Sequence, residues 1–455
     1  MNSASQGTLL AKMVTRLRGA GPRSSVESIA KAKLCLLDYL ACALASRELP
    51  WSRQAVALAG QSPGHVNVIG TPVLTSAGEA AFANAVLGHG LVRDDMHLGS
   101  VSHLGTVVFP ALLASAPAVA PSGRAFLQAA LAGYEAGGKL GRLILDVEVA
   151  KIFRPTGITG PFAAAAAAAH LLGLGEDAFG AALTLAANSA AGYNEWASTG
   201  GSEMFFHVGF AARNALTAVA LAAGGAHASA SGLDGRAGQL AAFGKTAPAD
   251  TPLPFDGDGE ILAVFFKEVP ACNFAQTAAQ VARDIATGHD FAPKRIAAVE
   301  VHVPRAAALY PGCDCAGPFA HVLQAKMSIH YNVAAALATG DFDEANYRPE
   351  DNPRIAALAD LARVVIDEEL TAAFPARQGA RIVVMLDDGT RLEAQADDVR
   401  PASNALVRER FIAAAGAALG TAQAGKLLAF IDALEAQSDA SRLNALLAPA
   451  AERRR

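Results

Sequence analysis

The sequence predicts a mainly α-helical fold, in which a large all-helical domain carries an inserted, smaller α+β lid domain. Three observations lead to this expectation. From about residue 9 to residue 262, apolar residues recur at helical spacing and alanine dominates them. After Lys267 the pattern changes to alternating strands, and at 455 residues the chain exceeds what one core usually holds. We therefore expect a helical domain over residues 1–266, the lid over 267–397, and a return to the helical domain over 398–455.

The helical domain is predicted from four apolar segments. Residues 25–45 carry apolar side chains at helical spacing, and Ser25 is placed to cap the first turn. Residues 160–172 and 177–191 are alanine-rich and are joined by a short glycine turn. The first of these two is almost wholly apolar, so we expect a helix that is buried on all sides. Residues 207–224 are predicted to form another such helix.

The lid is predicted from a strand and a hairpin. Apolar residues alternate with other types over 295–304, which is typical of a strand. Residues 382–386 and 392–396 form the arms of a hairpin whose turn contains Asp388-Gly389, a favoured pair for tight turns. Further helical segments are expected at 326–339, 352–365, 405–419 and 424–447.

Composition excludes several classes of protein. The net charge is −5, and the sequence has no basic stripe with interleaved aromatic residues, which argues against nucleic-acid binding. The alanine-rich runs are interrupted by Gly, His, Asn or Glu, so we expect no membrane span. Residues 1–21 lack the apolar block of a signal peptide. We therefore expect a cytoplasmic protein.

The five cysteines suggest no disulfide framework. Cys313 and Cys315 are separated by one residue and lack a second pair, so a loop is favoured over a metal site. Cys272 is interpreted as a packed, inert thiol.

One polar segment stands out from this apolar chain. Charged residues make up only 17% of the sequence, yet Arg93, Asp94, Asp95, His97 and His103 fall within eleven positions between two apolar segments. Charged groups enter apolar surroundings when they are paired or take part in chemistry. Residues 84–105 are therefore the first candidate for a functional site.

Four segments, which follow one another along nearly the whole chain, resemble the MmgE/PrpD family. They are the polar segment 84–105, Arg154-Pro-Thr-Gly with the alanine run that follows it, His207-Val-Gly-Phe-Ala-Ala, and Lys267-Glu-Val-Pro-Ala-Cys. A further segment, 325–337, is similar to the family's smaller domain. The resemblance implies a helical domain with an α+β lid, a homodimer and no cofactor. It also implies dehydratase, decarboxylase or epimerase chemistry on small polycarboxylates.

The chain departs from the family pattern at five positions. Val92 replaces an aspartate, Met96 a threonine, Arg154 a histidine, Met204 a lysine and Gln276 a histidine. The matching residues that remain are Asp94, Asp95, His97, His103, His207 and Lys267. The usual dehydratase and decarboxylase sites are therefore incomplete in this chain.

Three residues are predicted to be catalytic. His103 is the candidate acid or base, because an unperturbed imidazole has a pKa near ~6.5 and can serve either role near neutral pH. Asp94 is predicted to orient an imidazole, as carboxylates do in catalytic triads. Lys267 is predicted to hold the charge that develops on a carboxylate when a neighbouring carbon loses its proton.

Five residues are predicted to bind the substrate. The planar guanidinium of Arg154 matches a carboxylate with two bonds, and we expect it in a loop that leads into a helix. His97 follows Asp94 by three positions, so on a helix the two would share a face. Asp95, Gln276 and His207 complete the set on the strength of the resemblance.

Each of these residues also has a structural interpretation. A histidine can be a buried, hydrogen-bonded core residue, which is favoured for His207. An aspartate can cap a helix, and Lys267 or Arg154 can be a surface charge. A metal site formed by Asp94, His97 and His103 is disfavoured, because the resemblance implies no metal.

The leading functional hypothesis is a cofactor-independent lyase of the dehydratase type, which abstracts a proton α to a carboxylate of a small di- or tricarboxylic acid. The first alternative is an epimerase of an iminodisuccinate-like dicarboxylate, which needs no acid for a leaving group. The second alternative is a non-catalytic dimer that kept the fold and lost the site. Met204 and Phe206 make the neighbourhood of His207 less polar than the family pattern, which favours a substrate with fewer carboxylates or with an apolar branch.

Overall fold

The computed structural model describes residues 7–19, 24–246, 259–289, 292 and 295–449. Helices predominate in these ranges, and the expectation of a mainly α fold is confirmed. The helices are α1 Leu9–Gly19, α2 Val26–Ser46, α3 Pro50–Ala59, α4 Ala77–His89, α5 Gly105–Val119, α6 Gly123–Ile144, α7 Val147–Ile152, α8 Pro155–Leu171, α9 Glu176–Ala187, α10 Trp196–Thr199, α11 Glu203–Ala223, α12 Gln239–Ala242, α13 Gln276–Gly288, α14 Arg305–Ala308, α15 Val322–Met327, α16 Ile329–Thr339, α17 Pro353–Ala359, α18 Glu368–Ala373, α19 Asn404–Leu419, α20 Thr421–Asp432 and α21 Arg442–Leu446. The strands are β1 Val66–Asn67, β2 Leu74–Thr75, β3 Met96–His97, β4 Val264–Phe265, β5 Ile296–Val303, β6 Ala362–Ile366, β7 Ala380–Leu386 and β8 Arg391–Ala396.

The helical body is built around α8, whose residues are buried along almost its whole length. Helix α8 packs against α5, α6, α9 and α11. Its alanines allow this close approach, and so do glycines on α6: a Cβ added at Gly133 would lie 2.9 Å from the Cβ of Ala167 and 3.0 Å from the carbonyl oxygen of Ala163. The predicted cap of α2 is also confirmed, because the Ser25 hydroxyl accepts a hydrogen bond from the Ser28 amide at 3.0 Å.

A four-stranded sheet lies in the later part of the chain, with the strand order β6-β5-β7-β8. Strand β5 and the hairpin of β7 and β8 confirm the predicted strand and hairpin. Helix α13 packs against α16 and against the two hairpin strands.

The helix expected over residues 352–365 is wrong in its second half. It ends at Ala359, and Ala362–Ile366 forms strand β6, which pairs in parallel with β5. The Val364-Val365-Ile366 run explains this outcome, since β-branched residues pack well in a sheet. The predicted helices 326–339 and 424–447 are each interrupted, the first at Ser328 and the second after Asp432.

The last helices return to the helical body, where α19 packs against α2. Lys326 lies in α15, after strand β5 in the chain. Its buried ammonium donates hydrogen bonds to the carbonyls of Leu91 at 3.0 Å and Pro270 at 2.8 Å. These contacts tie the two parts of the chain together. The division into a helical domain and an inserted lid at residues 267 and 397 stays a prediction.

Helix α11 is, in the described part of the chain, the one helix long and apolar enough to cross a membrane by length and composition. Half of the apolar stretch of α11 is buried inside the protein. The core helix of a soluble protein can have the same length and composition, so this finding is weak evidence for a membrane span. Phe210 and Leu221 on this helix are about half exposed. The expectations of a homodimer, a cytoplasmic location and no membrane partner stay predictions.

The close approach of α6 and α8 gives a stability prediction. Gly133→Ala should lower the free energy of unfolding by about 1–3 kcal/mol, because the new methyl group meets backbone and a neighbouring alanine that have no room to move. Gly416→Ala on α19 is the matched control, since a Cβ there meets nothing within 4 Å, and it should stabilise the protein by about 0.5–1 kcal/mol. Urea unfolding of both variants tests this, and equal stabilisation by both would contradict it.

Candidate functional site

Two segments that are far apart in the chain meet at the site through a short antiparallel ladder. Strand β3 pairs with β4, with Met96 opposite Phe265 and His97 opposite Val264. Lys267 lies two residues after β4, so the ladder carries it to the polar segment 84–105. The amide of His103 donates to the Thr156 hydroxyl at 3.0 Å, which fixes the same segment to the first turn of α8.

Asp94 is the centre of a buried cluster with two imidazoles. Its carboxylate oxygens lie 2.9 and 3.1 Å from Nδ1 of His89. Nδ1 of His103 lies 2.7 Å from Oδ2 of Asp94, although the direction of this contact departs from ordinary hydrogen-bond geometry. The two rings meet edge to face, with centroids 4.8 Å apart. The predicted pairing of Asp94 with His103 is therefore present, and a second histidine shares the carboxylate.

Two buried cations flank this cluster. Lys267 is completely buried, and its ammonium has no hydrogen-bond partner among the described residues. Nη2 of Arg154 lies 3.1 Å from Nε2 of His89, and Nε of Arg154 is also buried without a partner. Arg154 precedes α8, as the sequence predicted. Neither residue is the exposed surface charge of the alternative interpretation.

His103, Arg154 and Lys267 line one small cavity together with Trp196, Met204, Cys272, Phe274 and Tyr310. The cavity measures about 20 Å³, which is enough for roughly one water molecule. A larger cleft of about 470 Å³ adjoins it, and Val101, Phe274 and Tyr310 line both spaces. Val101 has a φ of 46°, a strained value for a β-branched residue, at this junction.

Burial shapes the protonation states of the cluster. It lowers the pKa of His103 to about 3, which leaves this imidazole neutral near pH 7. Burial by itself would raise the pKa of Asp94, but His103 and His89 outweigh it and hold the pKa well below its usual value. Burial also lowers the pKa of Lys267 to about 8, and Asp94 opposes part of this change. The site thus contains an ionised carboxylate, a neutral base and a lysine whose charge depends on pH near neutrality.

Asp95 and His97 do not line the cavity. The carboxylate of Asp95 accepts hydrogen bonds from the Tyr134 hydroxyl and, at 3.1 Å, from the Gly105 amide at the start of α5. Nε2 of His97 lies 2.8 Å from Glu260, in a separate buried ionic cluster. The expectation that His97 shares a helical face with Asp94 is wrong, because Asp94 lies in a loop and His97 in strand β3, so no helix joins them.

Gln276 and His207 also lie outside the cavity lining. The Gln276 side chain accepts from the Val269 amide at 3.0 Å and donates to the Val269 carbonyl at 2.9 Å, with longer contacts to the carbonyls of Ala271 and Cys272. It therefore holds the loop between Lys267 and Cys272 in shape. His207 packs against Gly192 near the start of α11. It is only partly buried, and its Nδ1 has no hydrogen-bond partner among the described residues, so the expectation of a buried, hydrogen-bonded histidine is wrong. Substrate contact by these two residues finds no support in the geometry.

His89, Cys272 and Tyr310 also belong to the site, although the sequence did not predict them there. His89 had a signal, since it lies within the polar segment and between two glycines. It ends α4, and only the turn after α4 brings it back to Asp94. His89, Asp94 and His103, rather than a set with His97, have ligand atoms within 4.8 Å of one another and could hold a metal ion. Arg154 beside His89 disfavours a cation at this place.

The structure thus brings His103, Arg154 and Lys267 to one small cavity, with Asp94 paired to His103. The chain belongs to the MmgE/PrpD family: the family's N-terminal domain matches residues 8–251 and its C-terminal domain matches residues 269–436. This membership confirms the resemblance seen in the sequence.

Several relatives carry names that specify an activity. A cis-aconitate decarboxylase from Aspergillus terreus is 31% identical over 207 residues, which is 44% of this chain and 42% of the relative. The cis-aconitate decarboxylase-like protein oryM from Aspergillus oryzae is 32% identical over 49% of this chain and 48% of its own length. A cis-aconitate decarboxylase from Mus musculus is 26% identical over 81% of this chain and 78% of its own. The match thus spans less than half the length of the fungal relatives.

The role assigned to Gln276 can be tested by stability. Gln276→Ala should lower the free energy of unfolding by about 1–3 kcal/mol, because it leaves buried backbone groups of the 267–272 loop without partners. Hydrogen exchange at the Val269 amide should accelerate. Gln437→Ala is the matched control, since that residue is partly exposed and its side chain makes one long hydrogen bond, of 3.4 Å, to the Ala433 carbonyl. Unchanged exchange at Val269 would show that Gln276 does not hold the loop.

Proposed function

We propose that the protein is a cofactor-independent lyase that acts on a small di- or tricarboxylate by moving a proton at a carbon next to a carboxylate. The observation that carries the proposal is the convergence of His103, Arg154 and Lys267 on one closed cavity. The family membership and the names of the relatives support a lyase.

In this proposal, Lys267 and Arg154 bind a carboxylate of the substrate. Burying a charge without a partner is costly, and here two cations face a single carboxylate that already serves two imidazoles. A carboxylate ligand would satisfy the Lys267 ammonium and the free Nε of Arg154. The same groups stabilise the negative charge that builds on the carboxylate oxygens when the neighbouring carbon loses its proton.

His103 transfers the proton. Because burial keeps its imidazole neutral, it can accept a proton from carbon, and Asp94 then stabilises the resulting imidazolium. In a dehydration, the C–H electron pair forms the double bond and the β-hydroxyl leaves as water after taking a proton. The imidazolium formed in the first step is a suitable donor of that proton.

Decarboxylation is the second candidate, and the relatives' names favour it. In that reaction the bond to one carboxylate breaks, CO2 leaves, and the released electron pair takes a proton. His103 would then have to begin as an imidazolium, which an anionic substrate beside it promotes. Because the His103 imidazole is neutral near pH 7, proton abstraction is favoured as the first step.

The substrate must enter through an opening of the site, since a cavity of about 20 Å³ cannot hold a dicarboxylate. We propose that it arrives through the adjoining cleft and that Phe274 and Tyr310 move to admit it. The cleft is lined mainly by apolar residues, and its charged lining residues are Arg142, Asp146 and Lys151. This composition suits a carboxylate that carries an apolar branch.

One experiment separates the candidate reactions. The protein is incubated in deuterated water with a panel of hydroxy, unsaturated and amino di- and tricarboxylates and followed by proton NMR. Loss of water indicates a dehydratase, release of CO2 a decarboxylase, and deuterium uptake with inversion but no net loss an epimerase. If no panel member reacts or exchanges, the proposal of catalysis fails and the non-catalytic alternative stands.

Variants then test the roles. His103→Gln should lower kcat by about 10²–10⁴-fold, the usual contribution of a general acid–base group. Lys267→Met should lower kcat/KM as strongly, because it removes a buried cation that faces the substrate. His227→Gln is the control, since this histidine is exposed and lies outside the cavity lining, and it should retain activity. Full activity of His103→Gln would refute the assigned role.

A further inference from the structure

Cys272 is the thiol that the structure places within the cavity lining, beside the two cations. It is almost completely buried, and His103, Arg154 and Lys267 line the same space. The sequence interpretation of a packed thiol is correct, but its surroundings differ from those of an inert one. Thiolates beside fixed cations are the reactive form of cysteine.

A second thiol contacts it. Sγ of Cys313 lies 3.7 Å from Sγ of Cys272, which is hydrogen-bond distance for two sulfur atoms and longer than a disulfide bond. A thiol that donates to its neighbour stabilises the neighbour's anion. Contact with Cys313, partly offset by burial, lowers the pKa of Cys272 to about 7, with Lys267 and Arg154 adding to the effect.

The other buried cysteines differ in this respect. Burial raises the pKa of Cys35 and that of Cys42 well above the usual value of a thiol. Burial and the contact with Cys272 also raise the pKa of Cys313. Cys272 is therefore the thiol whose surroundings favour the thiolate, and it is the one that faces the cavity.

We propose that Cys272 is a covalent modification site for carbon electrophiles that carry a carboxylate, with Lys267 and Arg154 drawing the carboxylate into place. With an α,β-unsaturated carboxylate, the thiolate sulfur bonds to the β-carbon and the π electron pair moves to the α-carbon. That carbon then takes a proton from water. The two cations stabilise the charge on the carboxylate during this addition. The inference needs no turnover, so it stands or falls independently of the proposed lyase reaction.

The test compares two alkylating agents that differ in charge. The full-length protein, kept reduced, is treated in parallel with iodoacetate and iodoacetamide, and the modification rate of each cysteine is followed by peptide mass spectrometry. In both reactions the sulfur bonds to the methylene carbon and iodide leaves. Cys272 should react faster with the anionic iodoacetate, whereas Cys315, which lies outside the cavity lining, should react faster with neutral iodoacetamide.

Variants show which residues cause the preference for iodoacetate at Cys272. Lys267→Gln should reduce the rate ratio of iodoacetate to iodoacetamide at Cys272 by about tenfold, because one nearby cation is lost. Cys272→Ser should remove the adduct and leave labelling at Cys315 unchanged. Maleate, an unsaturated dicarboxylate, should form a slower adduct at Cys272.

Three outcomes would overturn the proposal. The first is no labelling of Cys272 by either agent under conditions that label Cys315. The second is a preference for iodoacetamide at Cys272, which would mean that the cations do not guide the reagent. The third is a Cys272–Cys313 disulfide that persists in the presence of reductant and excludes alkylation.

Discussion

The site depends on one electrostatic constraint: two cations are buried beside a single carboxylate. Lys267 is fully shielded from solvent and has no hydrogen-bond partner in the part of the chain that the structure describes, and Arg154 is almost as deeply buried. Asp94 compensates part of this charge, but it also holds two histidines. Burying these charges together costs free energy, which a bound anion would offset. Burial, with the neighbouring cations as a smaller contribution, lowers the pKa of His103 and of Lys267, and contact with Cys313 together with the same cations lowers the pKa of Cys272.

Several contacts elsewhere in the fold hold these site residues in place. The β3–β4 ladder brings Lys267 to the polar segment, and Gln276 secures the loop that follows it. The Lys326 ammonium donates to the carbonyls of Leu91 and Pro270, and so joins the polar segment 84–105 to the loop that follows Lys267. Small residues on α6 and α8 allow the helices beneath to pack closely, so the first turn of α8 presents Arg154 from a rigid base.

The sequence predicted most of the fold because its patterns are local. The alanine-rich helices, the β5 strand and the Asp388-Gly389 hairpin were all correctly predicted from periodicity and turn residues. Strand β6 was missed because its pairing with β5 depends on a parallel contact across some sixty residues. Local patterns do not report such contacts.

The site was predicted only in part, for a related reason. The cluster of charges identified Asp94 and His103, and the family motif added Lys267 and Arg154, which the structure brings to one cavity. His97 lies in the two-residue strand β3 and does not contact Asp94. The turn after α4 places Asp94 against His89 instead. A sequence does not show which of several histidines in a short segment points inward. Cys272 and Tyr310 reach the cavity from loops whose path depends on tertiary contacts.

The most direct measurement of the central constraint is proton uptake on binding. Calorimetric titration of the protein with tricarballylate, a saturated tricarboxylate, is carried out at pH 8 in buffers of different ionisation enthalpy. Because the pKa of Lys267 in the empty site is about 8, an anion that holds the lysine charged should draw roughly half a proton from the buffer. The uptake should disappear in Lys267→Met. Binding without proton uptake, or no binding of tricarballylate and succinate alike, would contradict a site organised around uncompensated buried cations.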